Sequence, residues 1–329
     1  MGSCCTFKTM NQSGEIDMRE SRYVDALQNP RALMLASKVQ AKMKLFLYYK
    51  RTSNRKIPNF SIMSHNATVV RIEAKFGPFF NLLRIPKVTS DRMWKSATSV
   101  GSGNTYEGFW NGDSREGIGV LLYTDGSKYE GYWENNKCSG LGRLIHSDGN
   151  IYEGEWKDDK ANGKGRYIHV DGNIYEGQWL DDKQQGYGIE KWNEGLKYQG
   201  EYLNGVKHGK GKFEWNDGAV YEGEFKENEI CGIGIYKWND GRVYRGEWKD
   251  SKMHGRGLFT WIDGRKYEGE YLNDKKHGKG VFNWPDGRVY DGEWEHGKQS
   301  GRGIYRDAKG VEWTGIWKNG KRVTWEIKK

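Results

Sequence analysis

Proline, cysteine and long apolar runs are scarce in this chain, and each scarcity excludes a class of protein. Five prolines and four cysteines occur among 329 residues, and two of the cysteines are adjacent, so no disulfide framework is expected. The most conspicuous apolar run, residues 45–49, is far shorter than the roughly 18 residues that span a bilayer. Residues 2–30 hold no apolar segment of signal-peptide length. These absences favour a reducing, cytosolic environment.

Glycine and aromatic residues are abundant instead, and they recur with a fixed period. A tyrosine stands every 23 residues at Tyr106, Tyr129, Tyr152, Tyr175, Tyr198, Tyr221, Tyr244, Tyr267 and Tyr290, and Trp313 continues the series. A glycine follows two residues after each of these positions, and an aromatic residue follows four residues after. Such a fixed period is typical of repeat proteins.

Each period predicts a β-hairpin followed by a turn. The tyrosine, the glycine and the second aromatic residue share one face of a strand, while a glutamate usually stands between them on the other face. A Gly-x-Gly and alternating aromatic residues follow, as in residues 209–215, and indicate a second strand. Most units then reach Asp-Gly, a strong turn signal. Because a lone hairpin is marginal in water, the units are expected to stack and bury their aromatic rows.

The sequence YEGEWKDDKANGKGRYIHVDG, residues 152–172, resembles the MORN (membrane occupation and recognition nexus) repeat. The resemblance covers residues 104–323 in about ten units. It implies an all-β repeat fold, an elongated and twisted antiparallel β-meander of hairpin units with an aromatic-lined groove. In that family the repeats are interaction surfaces that often link membranes, cytoskeleton and ciliary structures.

Charge is distributed unevenly and suggests how the chain is organised. Residues 1–100 hold 17 Lys and Arg against 6 Asp and Glu, whereas residues 101–329 hold 36 against 38. The basic character therefore belongs to the segment before the repeats. The predicted organisation is an acylation segment at 1–13, a basic, partly helical segment at 14–56, a connecting segment at 57–103, the repeats at 104–323 and a tail at 324–329.

The first residues, MGSCCTFK, fit a dual-acylation signal. Gly2 and Thr6 match the N-myristoylation pattern, and Cys4 and Cys5 are suited to palmitoylation. One myristoyl chain binds a membrane only marginally, so stable anchoring requires a second chain or a basic patch. The sequence offers both, which predicts attachment to a membrane that carries anionic lipid.

Residues 29–56 are predicted to form a basic amphipathic helix that begins at Asn29 and Pro30. The stretch from Val39 resembles the calmodulin-binding IQ motif, although Leu45 and Tyr49 depart from it. The alternative is a helix that lies on the membrane or packs on the first repeats. The predicted contact residues for lipid, or for calmodulin or a related light chain, are Lys38, Val39, Gln40, Lys42, Lys44, Phe46, Lys50, Arg51, Arg55 and Lys56.

The connecting segment carries weaker signals. Residues 67–76 alternate like a half-buried strand, which predicts pairing with the start of the repeat sheet. The glycosylation sequon at Asn66 is expected to be empty, because no secretory signal accompanies it. Trp94 stands where a repeat unit would place a glycine, so no unit is expected before Gly103.

Catalytic, cofactor and nucleic-acid functions are not expected. The seven histidines do not gather, and the repeated glutamates are predicted to be solvated on the face opposite the aromatic residues. No nucleophile–base pair stands out, so the chain is predicted not to be an enzyme and to need no cofactor or metal. Nucleic acid is disfavoured because the aromatic residues and the basic residues occupy separate segments.

The predicted partner surface is the aromatic-rich face near the middle of the repeats. Its first-strand residues are Trp156, Trp179, Tyr202, Phe225 and Trp248, and Trp192, Trp215 and Trp238 are assigned to the second strands. Large aromatic residues supply many interface hot spots. Three functions follow as hypotheses: a membrane-tethered scaffold on the cytoplasmic side of a membrane, a structural part of a ciliary or cytoskeletal assembly without a lipid anchor, or a calmodulin-regulated adaptor.

Overall fold

A computed structural model describes residues 60–77, 79 and 92–326, and this part of the chain holds one helix and 21 strands. The helix α1 spans Ala67–Phe76. The strands are β1 (Met93–Val100), β2 (Asn104–Asn111), β3 (Ser114–Leu122), β4 (Lys128–Glu134), β5 (Lys137–Ile145), β6 (Ile151–Lys157), β7 (Lys160–Ile168), β8 (Ile174–Leu180), β9 (Lys183–Lys191), β10 (Lys197–Leu203), β11 (Val206–Glu214), β12 (Val220–Lys226), β13 (Glu229–Lys237), β14 (Val243–Lys249), β15 (Lys252–Thr260), β16 (Lys266–Leu272), β17 (Lys275–Asn283), β18 (Val289–Glu295), β19 (Lys298–Arg306), β20 (Glu312–Lys318) and β21 (Lys321–Trp325).

The chain divides into two compact units between Val206 and Lys207. The described residues of the N-terminal unit are 60–77, 79 and 92–206, which carry α1 and β1 to β10. Those of the C-terminal unit are 207–326, which carry nearly all of β11 and the strands from β12 to β21. Within each unit, consecutive strands pair antiparallel, as β5 pairs with β6 and β6 with β7. The predicted all-β fold of hairpin repeats is confirmed.

The turns inside the hairpins have a left-handed backbone geometry. In the hairpin of β6 and β7, the two turn residues Asp158 and Asp159 have φ angles of 50° and 66°. Positive φ at both central residues defines a type I′ turn, whose twist matches that of the flanking strands. Aspartate tolerates this left-handed conformation better than most residues.

The repeated tyrosine and glycines form one packing unit on the sheet. Gly154 of β6 pairs with Gly165 of β7, and the Tyr152 hydroxyl reaches across them to donate to the Glu155 carbonyl at 2.9 Å. A Cβ atom on Gly154 would lie 2.5 Å from the Gly165 Cα, and one on Gly165 would lie 2.6 Å from the Tyr152 ring. These glycines make room for the tyrosine ring, because any side chain there would overlap its neighbours.

The prediction of a strand at residues 67–76 is wrong, because this segment is the helix α1. The Asn66 side chain caps its first turn by accepting from the Thr68 and Val69 amides at 2.9 and 3.3 Å. Gly77 ends it with φ 72° and donates to the Glu73 carbonyl at 2.8 Å. The caps at both ends stabilise the helix although its sequence is rich in β-branched residues, which favour strands. The buried residue of the helix is Val69, which is not among the alternating residues that the strand prediction placed on one side.

The strand β1 precedes the first repeat and has no counterpart in the repeat pattern. It pairs antiparallel with β2, which sets Trp94 opposite Phe109 and Lys95 opposite Gly108. The Trp94 ring packs edge-on against Phe109 at 5.2 Å between centroids. A strand therefore does lie in the connecting segment, at Met93–Val100, although it lacks the Gly-x-Gly of a unit.

Candidate functional site

The repeat sheet of each unit has two chemically different faces. The aromatic face is defined by the repeated tyrosine and the aromatic residue four positions later, such as Tyr244 and Trp248. The glutamate face is the opposite side, defined by the residue directly after each repeated tyrosine, such as Glu222. The pairing of Tyr221 with Tyr236 and of Glu222 with Ile235 keeps the two residue sets on separate faces.

Most first-strand residues of the predicted partner surface are part of the core. Trp156, Tyr202, Phe225 and Trp248 are only 8%, 3%, 4% and 4% exposed, and Trp179 is half-buried. Trp156 Nε1 donates to the Gly142 carbonyl at 3.1 Å, and Trp248 Nε1 donates likewise to Gly234 at 3.3 Å. These rings hold neighbouring repeats together and offer little area to a partner.

The other three predicted residues do not lie on the second strands. Trp192, Trp215 and Trp238 each stand one residue beyond the end of β9, β11 or β13, in the turn that leads to the next hairpin. The Trp238 amide donates to the Arg242 carbonyl at 2.9 Å, which closes this turn. All three rings are half-buried. The turn position leaves part of each indole accessible.

An arginine, which the sequence pattern did not reveal, covers the turn tryptophan in three consecutive repeats of the C-terminal unit, an arrangement called here the Arg clamp. The Arg242 guanidinium lies 5.2 Å from the Trp238 ring centroid, and its Nε donates to Asp240 Oδ2 at 2.7 Å. This hydrogen bond from the Arg242 side chain is the main reason that the pKa of Asp240 is lowered. The same arrangement recurs at Trp261, Asp263 and Arg265 and at Trp284, Asp286 and Arg288. The signal was an arginine four residues after the tryptophan in three successive units.

Aromatic residues of the C-terminal unit form a ladder along the aromatic face. The Trp215 ring centroid lies 4.5 Å from that of Phe213 and 5.1 Å from that of Tyr236. The Trp238 centroid lies 4.4 Å from that of Tyr236 and 5.0 Å from that of Phe259. Burial raises the pKa of Tyr236 to about 12. The ladder is a row of aromatic rings in contact, with half-buried indoles along it.

The glutamate face of the N-terminal unit is covered by residues 60–79. Ile62 and Phe79 are 7% and 4% exposed and form one buried cluster with Ile118 and Val120 of β3. Val69 of α1 is fully buried, and its cluster includes Ile145 and Ile151 of the sheet. The connecting segment is therefore a second layer on the first repeats.

The expectation that the repeated glutamates are solvated is wrong for the first two. Glu107 is 3% exposed and accepts hydrogen bonds from the Ser61 and Ile62 amides at 2.7 and 3.0 Å. Glu130 is 4% exposed, and its carboxylate accepts a hydrogen bond from Arg143 Nη2 at 2.7 Å. Burial is tolerated because each carboxylate gains several hydrogen-bond donors.

A buried charge cluster surrounds Glu130. Arg143 is 1% exposed and also donates to the Gly77 carbonyl at 2.6 Å. Lys128 is 5% exposed, lies 3.3 Å from Glu130 and pairs with Glu73 of α1. The cluster joins the connecting segment to the sheet, because the Gly77 carbonyl and Glu73 contact the buried Arg143 and Lys128.

The sequence contains an indication that the glutamate face of the first two repeats is covered. Three residues after the repeated tyrosine, the first two units place Phe109 and Tyr132, whereas the next eight units mostly place glutamate or glutamine. Both rings pack against the cluster of Ile62 and Phe79. Large apolar side chains on the glutamate face indicate that something covers them.

The predicted acylation residues and basic contact residues are not part of the structure described above. Gly2, Cys4, Cys5 and the basic contact residues from Lys38 to Lys56 lie outside the described residues. Within residues 60–77, 79 and 92–326, no group of three or more His, Cys, Asp or Glu could hold a metal ion. In the same part of the chain, no helix has both the length and the hydrophobicity to cross a membrane.

Three solved structures that resemble this chain show weak similarity to it. The TCP10 domain of Danio rerio CPAP is 11% identical, with 64% of this chain and 99% of that chain covered and a TM-score of 0.36. The TCP domain of Drosophila melanogaster SAS-4, solved with a proline-rich motif of Ana2, is 10% identical, with 63% and 94% covered and a TM-score of 0.24. An inactive variant of Staphylococcus aureus virginiamycin B lyase is 17% identical, with 71% and 73% covered and a TM-score of 0.14. Scores this low carry no functional conclusion.

Comparison with protein families is decisive. No curated protein matches the chain. The MORN repeat model matches nine consecutive segments, 106–128, 129–151, 152–174, 175–197, 198–220, 221–241, 244–264, 267–287 and 290–312. Together these segments cover more than half of the chain and agree with the hairpins of the structure. The chain belongs to the MORN-repeat family of repeat scaffold proteins.

Proposed function

We propose that this chain is a non-enzymatic scaffold that is tethered to a membrane through its N-terminus and presents its repeats to protein partners. The observation that carries the proposal is the aromatic ladder of the C-terminal unit. Its half-buried indoles stand at turns, where a partner segment can reach them. Tryptophan and arginine are the residue types most enriched among interface hot spots, and this surface combines both.

The Arg clamps favour binding for a second physical reason. A side chain that is already held in one conformation loses little entropy when a partner covers it. Arg242 holds the Trp238 ring from one side and is itself held by Asp240. A partner therefore meets a preorganised indole with a charged rim. An extended peptide that lies along successive turns would contact one such group in each repeat.

Alanine at Trp192, Trp215 or Trp238 is expected to weaken partner capture while leaving the fold intact. Each indole is half-buried, so its loss removes contact area without opening a core cavity. We expect at least one of the three variants to lose about tenfold in partner recovery. The measurement is quantitative mass spectrometry of proteins captured from lysate, with circular dichroism to check folding.

Trp248→Ala is the matched control for this experiment. Trp248 is 4% exposed and donates to the Gly234 carbonyl, so its loss should destabilise the fold by about 3–5 kcal/mol. If the three turn variants stay folded and retrieve the same partners in the same amounts, the binding surface lies elsewhere.

The proposed tether is the N-terminal acylation signal. Gly2, Cys4 and Cys5 would carry the lipid chains, and the basic residues between Lys38 and Lys56 would add attraction to anionic lipid. Two lipid signals give stable attachment, whereas one gives reversible attachment. Calmodulin binding to residues 30–56 stays a prediction, and it would compete with lipid for the same lysines.

Gly2→Ala is expected to release the protein from membranes, because myristoylation requires the Gly2 amine and precedes palmitoylation of neighbouring cysteines. Cys4→Ser with Cys5→Ser should leave weak binding that salt removes. The measurement is the membrane fraction after a high-salt wash. A Gly2→Ala protein that stays in the washed pellet contradicts the tether.

A mass spectrum of the native N-terminus separates the tether from its main alternative. A mature Gly2 that carries myristate supports the membrane-tethered scaffold. A bare or acetylated N-terminus favours a structural role in a ciliary or cytoskeletal assembly without a lipid anchor. Neither result affects the proposal for the aromatic ladder, which the tryptophan variants test separately.

A further inference from the structure

The chain contains an example of how its glutamate face binds an extended segment. The amides of Ser61 and Ile62 both donate to one oxygen of Glu107, and the Ser61 hydroxyl lies 3.1 Å from each carboxylate oxygen. The Ile62 side chain is buried against Ile118 and Val120. The site therefore consists of one glutamate and two branched aliphatic residues. The glutamate accepts hydrogen bonds from two successive backbone amides, and the aliphatic residues contact the side chain of the second of these residues.

The same three positions recur in the C-terminal unit. Glu222, Ile233 and Ile235 stand five repeat periods after Glu107, Ile118 and Val120. Glu222 pairs with Ile235 across β12 and β13, as Glu107 pairs with Val120 across β2 and β3. Elsewhere in this unit the residue between the two glycines is basic, as the equivalents of Ile233 are Lys210, Arg256, Lys279 and Arg302. The combination of an acidic and two aliphatic residues is thus confined to one repeat of the unit.

This second site keeps the glutamate and the two aliphatic residues of the first and lacks its cover, while Glu224 and Lys237 stand where the first site has Phe109 and Leu122. Ile233 is 41% exposed, whereas Ile118 is 2% exposed. Within the described part of the chain, no hydrogen-bond or ion-pair partner of the Glu222 carboxylate is found. Its cross-strand neighbour Lys212 pairs with Glu214 at 2.5 Å. An occupant would remove apolar area from water and supply the donors that Glu222 lacks.

We propose that Glu222, Ile233 and Ile235 form a docking site for an extended segment of a partner protein. The segment would present a serine or threonine followed by a branched aliphatic residue, with both backbone amides available as donors. This is the chemistry of Ser61 and Ile62 at the occupied site. The site lies on the glutamate face, so it is distinct from the aromatic ladder and does not rest on the function proposed for it.

The occupant is extended and short, because the rest of the first site is not reproduced. The helix α1 packs on Ile145 and Ile151, and the equivalent residues of the C-terminal unit are Thr260 and Lys266. These two polar residues provide no apolar surface on which a helix such as α1 could pack. The partner footprint is therefore limited to a few residues, and the expected affinity is weak.

The test is a titration of the full chain against a fluorescent peptide of residues 60–66, FSIMSHN, followed by fluorescence anisotropy. We expect saturable binding that Ile233→Lys weakens at least tenfold and Glu222→Gln weakens several-fold. Lysine is the native residue at this position in neighbouring repeats, so Ile233→Lys should fold normally. A peptide methylated on the Ser61 and Ile62 nitrogens lacks both donors and should not bind.

Ile304→Lys is the matched control, since Ile304 is also an isoleucine of the glutamate face and is also 41% exposed. It should leave the affinity unchanged, as should Trp238→Ala on the aromatic face. Absence of saturable binding overturns the proposal. So does binding that is insensitive to Ile233→Lys, because the peptide would then occupy another surface, including the site around Glu107.

Discussion

Gly246→Ala is expected to destabilise the C-terminal unit by at least about 3 kcal/mol. A Cβ atom at this position would lie 2.5 Å from the Gly257 Cα and 2.6 Å from the Arg256 carbonyl oxygen. Both atoms belong to the backbone of the paired strand β15, which cannot move without breaking its ladder. The third close atom is the hydroxyl of Tyr244, whose side chain is fully buried. The measurement is thermal unfolding by circular dichroism, with a drop of about 6 °C or more.

Gly297→Asn is the control for this substitution. Gly297 occupies the turn between β18 and β19 at φ 85°, and a Cβ atom there would meet nothing within 4 Å. Asn228 and Asp274 occupy the equivalent turn position at φ 73° and 67°, so the exchange copies other repeats. We expect a change below about 1 kcal/mol. Equal stability of the Gly246→Ala and Gly297→Asn proteins would show that the glycine pair is not what holds the repeats at this spacing.

Glu130→Ala is expected to destabilise the N-terminal unit by about 3–5 kcal/mol, the range found when one partner of a buried ion pair is removed. The substitution would leave Arg143, which is 1% exposed, without its carboxylate at 2.7 Å. It would also remove a partner of the buried Lys128 and the acceptor of the Phe79 amide. Hydrogen exchange should show lost protection in residues 60–77, because the cluster joins them to the sheet.

Two further variants decide whether charge burial is the cause. Glu222→Ala changes a glutamate at the same position of the repeat, where the described residues provide no cover, and should change stability by less than about 0.5 kcal/mol. Glu130→Leu combined with Arg143→Met removes both charges and should recover part of the lost stability, since Lys128 and the Phe79 amide still lack Glu130. A Glu130→Ala protein as stable as Glu222→Ala would contradict the role of the cluster.

The repeats could be predicted from sequence because their determinants are local. Tyr152, Gly154 and Gly165 lie within one hairpin, and the turn at Asp158 and Asp159 specifies the geometry that brings them together. Repetition of the same pattern makes each hairpin evidence for the next. The family and the hairpin architecture were accessible without coordinates for this reason.

The candidate surfaces were less accessible, because exposure depends on neighbours. Trp248 and Trp238 look alike in sequence, yet Trp248 is 4% exposed in the core and Trp238 is a half-buried turn residue. Trp248 lies on β14, whereas Trp238 lies one residue beyond the end of β13, a boundary that periodicity alone does not resolve. The Arg242 clamp on Trp238 is a cross-turn contact that hydrophobic patterning does not report.

The sequence by itself determined the period, the hairpins, the turn residues and the placement of aromatic and glutamate residues on opposite faces. These features follow from residues that are neighbours along the chain or within one hairpin. Only the tertiary structure decided that residues 67–76 are a helix and that residues 60–79 cover Glu107 and Glu130. The physical reason is that this segment occurs once, and its conformation depends on apolar and charged contacts with strands about 45 or more residues away, which no local pattern encodes.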